Sequence, residues 1–304
     1  MPDKPAAEIA IDEPLIRRLL ADQATDIVPD AANRPLSLAE AGWDCEMWRL
    51  GADLAVRVPR RALAARLLVH EHQVLPPLAR LIEPSGIGVP APLVQGLPSS
   101  DYPWRWSVVP WFDGTSALSV VRAERSRWAP ELARALRLMH VEAPAEHPVN
   151  PFRGVPFADR DEAVEARLAA LRARGAAPED RLRTAEDTWR AAVAASVYSG
   201  PPVWIHGDLH PGNLVVADGR LAAIIDFGDV TAGDPAYDLA IAWLAFDAAG
   251  RDRFIAALAG LHDDATWTRA RGWAVAVAAM LLDHSDDNPE YAALGAEALA
   301  EATA

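Results

Sequence analysis

The spacing of apolar residues changes character once along the chain. Within residues 1–110, short apolar runs bounded by turn residues predominate, and Leu54-Ala55-Val56-Arg57-Val58 and Trp106-Ser107-Val108-Val109 read as strands. Between them, Leu63, Leu67, Glu71 and Leu75 recur at a spacing of four, which predicts a helix ending near Pro76-Pro77 with a carboxylate on its apolar face. Gly and Pro recur from Pro84 to Pro103, so that stretch predicts loops around at most a short strand. From about residue 113 the chain turns Ala- and Arg-rich, and helices are expected over roughly 116–141, 158–174, 179–198, 235–249, 251–260 and 265–283. One β element interrupts them. Leu214-Val215-Val216 and Leu221-Ala222-Ala223-Ile224-Ile225 flank Ala217-Asp218-Gly219-Arg220, where Asp-Gly is a strong hairpin signal.

Composition narrows the class. A chain of 304 residues, 51% of them hydrophobic, is long enough for two lobes and folds without a metal or disulfide staple. Its single cysteine, Cys45, excludes an intrachain disulfide and a multi-cysteine zinc site and suits a reducing, cytoplasmic setting. The first twenty residues hold Asp3, Glu8, Asp12 and Glu13, so neither a signal peptide nor a membrane anchor is expected there. Trp273 to Leu282 is apolar but too short to span a bilayer. A formal charge of −14 argues against a nucleic-acid partner and suits a cationic small molecule better, although solubility alone also accounts for it.

The chemistry concentrates in Ile205-His206-Gly207-Asp208-Leu209-His210-Pro211-Gly212-Asn213 and, after the hairpin, Ile225-Asp226-Phe227-Gly228-Asp229. Asn213 precedes the first strand and Asp226 follows the second, so antiparallel pairing brings both to the open end of the hairpin. An amide oxygen and a carboxylate are the hard ligands that Mg²⁺ accepts when phosphates and water complete its shell. Asp208 lies five residues before Asn213, close enough to hold a substrate hydroxyl while the metal pair holds a phosphate. That division of labour is phosphoryl transfer.

The run His206-Gly-Asp208-x-His210-Pro-x-Asn213 with Asp226-Phe-Gly resembles the aminoglycoside phosphotransferase family, and the likeness continues through Gly233-Asp234-Pro235-Ala236-Tyr237-Asp238. It implies an α+β, two-lobe protein-kinase-like fold, with a small β-rich nucleotide lobe over residues 1–108 and a larger helical lobe over 109–304. By the same resemblance Asp208 is the catalytic base, Asn213 and Asp226 bind Mg²⁺, and ATP or GTP is the phosphoryl donor. His206 is expected to brace the loop, whereas His210 is placed to approach the transferring group. Asp234 reads as a helix N-cap, Asp229 as a turn residue and Asp238 as a buttress of the loop or an acid favoured by the helix dipole.

The first hundred residues match the family pattern less well. Where kinase-like proteins carry a phosphate-binding lysine, the strand here carries Arg57, and Glu71 stands where its ion-pair partner is expected. Arg60 and Arg61 are alternatives to Arg57. The glycine-rich loop is reduced to Gly42 in Ala41-Gly42-Trp43-Asp44-Cys45, with Gly51 beyond it. Ser107-Val108-Val109-Pro110-Trp111 resembles the hinge whose backbone reads the base, with Val108 and Val109 as the contacts, while Trp104, Trp106 and Trp111 read as packing.

The acceptor is expected to be a small hydroxylated molecule, an antibiotic such as an aminoglycoside or macrolide, bound by a monomer or homodimer. Two acidic sets could hold amines: Asp159, Asp161, Glu162 and Glu165 in one, Asp283, Asp286 and Asp287 in the other. Alternatively Trp267, Trp273 and Met280 line an apolar pocket. A metabolite kinase acting on choline, homoserine or a sugar fits the same motifs, and a nucleotide-binding regulator without turnover is a further alternative. Reading Asp208-x-His210 as part of a two-metal phosphoesterase fails, because no Gly-Asn-His follows to supply the later ligands.

Overall fold

The computed structural model describes residues 6–285 and 288–304. The chain divides into two compact units, one reaching Pro84 and resuming over Gly88–Asp113, the other comprising Ser85–Ile87 and Gly114–Ala304.

The first unit is built on an antiparallel five-stranded sheet in the order β1-β2-β3-β5-β4, with β1 Leu36–Ala41, β2 Cys45–Leu50, β3 Leu54–Pro59, β4 Val94–Gly96 and β5 Trp106–Pro110. Val56 and Val108 are directly opposed in the β3–β5 pair and both are fully buried. The ladder runs past residue 108, since Leu54 pairs with Pro110 and the Trp111 N–H donates to the Asp53 carbonyl at 2.8 Å, so the unit extends to Asp113.

The patterning of residues 1–110 as strands plus one helix omits helix α1, Glu13–Gln23. Asp12 caps it by accepting from the Leu15 N–H, and Leu15, Ile16, Leu19 and Leu20 join Trp48, Leu50, Val56 and Trp106 in one core cluster. Helix α2 also departs from expectation: it spans Ala62–Ile82 and continues through Pro76 and Pro77. Pro76 removes the N–H that would bond to the His72 carbonyl, and the Gln95 side-chain amide donates to that carbonyl instead, at 2.9 Å. Burial of Leu75, Leu78 and Ile82 continues the apolar face beyond the prolines.

The second unit is mainly helical. Two-residue β6 (Thr115–Ser116) precedes α3 Arg122–Arg125, α4 Ala129–Met139, α5 Asp161–Ala173 and α6 Glu179–Ala194. Then come β7 Val203–Ile205, the hairpin β8 Leu214–Ala217 and β9 Arg220–Ile224, and β10 Thr231–Gly233. Helices α7 Ala236–Leu239, α8 Ile241–Leu244, α9 Ala248–Ala257, α10 Asp264–His284 and α11 Pro289–Ala302 complete it. The single helices expected over 116–141 and 235–249 are each broken, the first where Pro130 opens α4. The expected β interruption holds more than the hairpin, because β7 and β10 pair antiparallel with Ile205 opposite Thr231. No helix of the described residues is long and apolar enough to cross a membrane.

Candidate active site

The loop from His206 to Asn213 leaves β7 and enters β8, and its shape is set by three neighbours. Fully buried Asp238, on α7, accepts from the backbone N–H groups of His206 at 2.7 Å and Gly207 at 3.1 Å, and its Oδ2 lies 3.2 Å from His140 Nε2. Gly207 has φ +82°, and a Cβ there would come within 2.4 Å of the Asp229 carbonyl oxygen, so conformation and space both require glycine. Gly207→Ala is expected to lower unfolding stability by about 1–3 kcal/mol, read from denaturant titration. The third neighbour is the segment Ile225-Asp226-Phe227-Gly228. His206 Nε2–H donates to the Ile225 carbonyl at 2.9 Å, its Nδ1 accepts from the Asp208 N–H at 3.2 Å, and its ring lies 4.5 Å from that of Phe227. With both ring nitrogens so engaged, the side chain is part of the scaffold.

Asp208 is thereby presented beside two basic groups. Arg153 Nη2 donates to its Oδ1 at 3.2 Å, and His210 Nε2 lies 3.5 Å from its Oδ2. Burial would raise the Asp208 carboxyl, but the hydrogen bond and charge of His210, followed by the charge of Arg153, outweigh it and hold the group well below the ordinary carboxylate range. His210 Nδ1 accepts from the Gly212 N–H at 3.0 Å, which places the ring proton on Nε2, and Tyr291 of α11 meets the ring edge-on at 5.4 Å.

Asn213 and Asp226 come together as the hairpin geometry requires. Leu214 pairs with Ile224, and one step further out the Asn213 carbonyl accepts from the Ile225 N–H at 2.9 Å. Asn213 Nδ2 donates to the Asp208 carbonyl at 2.8 Å, which turns the amide oxygen the other way. Asp226 adopts φ +61°, a left-handed conformation uncommon outside glycine that reverses the chain directly after β9. Among the described residues, no group of three or more His, Cys, Asp or Glu is arranged to hold a metal. One amide oxygen and one carboxylate fit a hard cation that draws its remaining ligands from phosphate and water.

Arg153 had no motif to mark it, yet it ties this centre together. Besides Asp208 it binds Asp229 through Nε and Nη2, both at 3.2 Å, and donates to the Tyr237 hydroxyl at 2.8 Å. Asn150 aims it: its Oδ1 accepts from the N–H groups of Phe152 and Arg153, and its Nδ2 donates to Asp229 at 2.8 Å. Gly154, at φ +67°, packs against β10 so closely that a Cβ would lie 2.9 Å from the Ala232 carbonyl oxygen. Asp229 is therefore an ion-pair partner as well as a turn residue. Asp234 is expected as the N-cap with Pro235 first in the helix; Pro235 itself takes the N-cap position of α7, and Asp234, one residue before it, accepts from the Ala236 N–H at 3.0 Å and pairs with Arg269 at 2.6 Å.

In the first unit, Arg57 of β3 donates to Glu71 of α2 at 2.8 Å, with the carboxylate buried. Arg60 and Arg61 are committed elsewhere, Arg60 to the Gly42 carbonyl at 3.1 Å and Arg61 to Asp44. Gly42 forms the β1–β2 turn, where its N–H donates to the Cys45 carbonyl at 2.8 Å. Val108 and Val109 lie within β5, and the Val108 carbonyl already accepts from the Leu93 N–H at 2.8 Å. Trp111 stacks under the Arg49 guanidinium, 4.7 Å from the ring centroid, while Trp106 is fully buried.

Several of the sequence-derived acceptor residues are committed to other partners. Asp161 accepts from Trp189 Nε1 at 2.7 Å, and Asp283 pairs with Arg167 at 3.6 Å and Arg174 at 3.0 Å, while Asp159, Glu162 and Glu165 are exposed. Asp286 and Asp287 lie outside the described residues. Trp273 packs with Phe157, Trp189 and Tyr237, whereas Trp267 packs with Trp243 and Phe254, and Met280 is half-buried on α10.

A family model described as the phosphotransferase enzyme family matches residues 36–273, a span that contains the loop, the hairpin and the Arg57–Glu71 pair. The chain belongs to this family. The phosphotransferase is also similar in structure to the GDP complex of an aminoglycoside 2'-phosphotransferase-IIIa variant, with TM-score 0.67 and 20% identity over 96% of this chain and 97% of that one. Against the GDP and kanamycin complex of a related 2''-named enzyme the TM-score is 0.62, at 18% identity over 93% and 97%. Against a macrolide 2'-phosphotransferase from Brachybacterium faecium it is 0.59, at 21% identity over 94% and 98%. These likenesses establish the α+β, kinase-like fold expected from the motifs.

Proposed function

We propose that this phosphotransferase moves the γ-phosphoryl group of ATP or GTP to a hydroxyl of an aminoglycoside or macrolide antibiotic. The observation that carries this reading is the placement of Asp208, Asn213 and Asp226 around one loop and one hairpin end, with Asn213 bonded to the Asp208 backbone. The acceptor class follows the structural relatives, whose names pair this fold with aminoglycosides and macrolides.

In the proposed reaction the acceptor oxygen forms a bond to Pγ as the bond from Pγ to the β–γ bridging oxygen breaks. The hydroxyl proton passes to Asp208, and a phosphate monoester and a nucleoside diphosphate leave. Asn213 and Asp226 would hold Mg²⁺, which supplies charge neutralisation at the phosphates. Asp208, fixed through its backbone and by Arg153, orients the hydroxyl. The Nε2–H of His210 faces the same carboxylate and can donate to a phosphoryl oxygen. Arg57, braced by Glu71, is assigned to the donor phosphates, with Gly42 at the turn that covers them; of the two hinge contacts, Val108 is spent within the sheet, which leaves the backbone from Val109 onward to read the base.

Arg57→Ala is expected to raise the nucleotide KM about tenfold and Arg57→Lys by less, since lysine keeps the charge but not the bidentate fork. Equal, negligible effects would remove Arg57 from the donor site. Arg153 acts on Asp208 through position and charge. A depressed carboxyl contributes stability above the ordinary carboxylate pKa and loses it as pH falls through the lowered value, so Asp208 stays ionised across the neutral range. Arg153→Met removes one cause of that lowering, so the acid limb of kcat/KM is expected to move to higher pH. Arg153→Lys should restore part of the difference.

The acceptor assignment is tested by incubating the protein with Mg²⁺ and γ-labelled ATP or GTP against aminoglycosides, macrolides and small hydroxylated metabolites. Label on an antibiotic is the expected result. Label confined to choline, homoserine or a sugar would replace the acceptor class while keeping the chemistry.

A further inference from the structure

On the second unit, away from the Asp208 loop, a cavity of about 610 Å³ opens among the C-terminal end of α4, residues 196–203 and the start of α10. Its walls carry Arg137, His140, His262 and Arg269, against a single acidic residue, Asp263.

Their partners distinguish them. Arg269 is buried and satisfied, donating to Asp234 at 2.6 Å, to Thr266 Oγ1 at 3.1 Å and to the Ser196 carbonyl. Asp263 is occupied as the cap of α10, accepting from the Thr266 N–H at 2.8 Å and its hydroxyl at 2.6 Å. Arg137 is exposed on the last turn of α4 and makes no hydrogen bond or ion pair with any of the described residues. The His262 ring touches Trp267 edge-on at 5.8 Å, and its nitrogens likewise make no hydrogen bond among the described residues. Burial, and then the neighbouring His140, pulls the His262 imidazole down to about 4. Two nitrogen-rich groups thus face a cavity with their hydrogen-bonding capacity unspent, and Val197 and Leu261 supply apolar wall beside them.

We propose that this cavity binds a small phosphate monoester, with Arg137 and the His262 imidazole at the phosphate, His140 beside it in the wall, and the organic part against Val197 and Leu261. A guanidinium and the His262 ring N–H can donate to the oxygens of a dianion, while His140 keeps its Nε2 on Asp238, and the volume leaves room for more than the phosphate alone. His140 Nε2 contacts Asp238 Oδ2, and Asp238 holds the His206 and Gly207 N–H groups, so an occupant touching His140 is two hydrogen bonds from the loop. The site stands on its own geometry and is independent of the acceptor proposed above.

The test is a titration of the full chain with inorganic phosphate and, separately, glycerol phosphate, in EDTA, read by NMR of ¹⁵N-labelled imidazoles. The chain has 8 His, so His140 and His262 can be assigned with single His→Gln variants. Saturable shifts of both rings are expected, unchanged in Asp226→Ala, whose substitution lies at the other centre. Arg137→Glu, an exposed change at a helix end, should weaken binding by about tenfold or more while leaving Tm unaltered. Absence of saturation, equal shifts with sodium chloride at matched ionic strength, or equal affinity in Arg137→Glu and wild type would each overturn the proposal.

Discussion

Asp208→Asn is expected to lower kcat by about a thousandfold while leaving nucleotide affinity within a factor of about two. The asparagine is nearly isosteric, so the backbone hydrogen bonds to Asn213 and His206 that shape the loop are retained. What is lost is the carboxylate proposed to take the hydroxyl proton, together with the charge that Arg153 and His210 face. A thousandfold corresponds to about 4 kcal/mol of transition-state stabilisation, within what one positioned base contributes. Stopped-flow or steady-state transfer assays measure kcat, and calorimetry with a non-hydrolysable nucleotide measures affinity. Undiminished turnover would remove Asp208 from the mechanism.

The second large effect concerns Asp226. Asp226→Ala is expected to weaken Mg²⁺-dependent nucleotide binding by about ten- to a hundredfold, with little change in the affinity measured without metal. The reasoning rests on the donor set: Asn213 offers one neutral oxygen, so Asp226 supplies all the negative charge that the two residues bring to a cation. Removing it leaves a site that hard cations bind poorly. Alanine also relieves nothing in the backbone, because the left-handed conformation at φ +61° disfavours it as it does other L residues. Melting curves with and without Mg²⁺ therefore accompany the calorimetry. Unchanged affinity and metal dependence in a folded variant would withdraw the metal assignment.

The placement of the proposed catalytic residues was legible because its logic is local. Asp208, Asn213 and Asp226 lie on one loop and one tight hairpin, and the Asp218-Gly219 turn fixes the register that brings the last two together. The Arg57–Glu71 pair was readable for a related reason, since a carboxylate on the apolar face of a helix needs a partner and the preceding strand offers one. Arg153 was not legible. It reaches Asp208 from a proline-bounded segment 55 residues upstream, held by Asn150 and by the close packing of Gly154 on β10, and no periodicity marks such a strap.

Helix ends failed for definable causes. Pro76 and Pro77 predicted a stop, but the Gln95 side chain satisfies the exposed carbonyl and the apolar face continues to Ile82. Helix α1 carries its own signal in Asp12, Pro14 and the Leu15, Ile16, Leu19, Leu20 stripe, which the neighbouring strand patterns overshadowed. Helix α11 begins with an Asn288 cap and Pro289, and it brings Tyr291 to His210, a long-range contact outside the reach of local spacing. The partners of the acidic clusters were beyond local spacing too: Asp161 and Asp283 contact Trp189 and two arginines, which only the tertiary structure shows.

The central claim is that Asp208, Asn213 and Asp226 form a competent phosphoryl-transfer centre, and it can be tested without knowing the acceptor. The measurement is Mg²⁺-dependent release of labelled γ-phosphate from ATP and GTP to water by wild type and Asp208→Asn at saturating nucleotide. Slow hydrolysis of at least one nucleotide, abolished by EDTA and by the substitution, is the predicted result. Nucleotide that binds tightly yet is never consumed, or hydrolysis that survives Asp208→Asn, would contradict it.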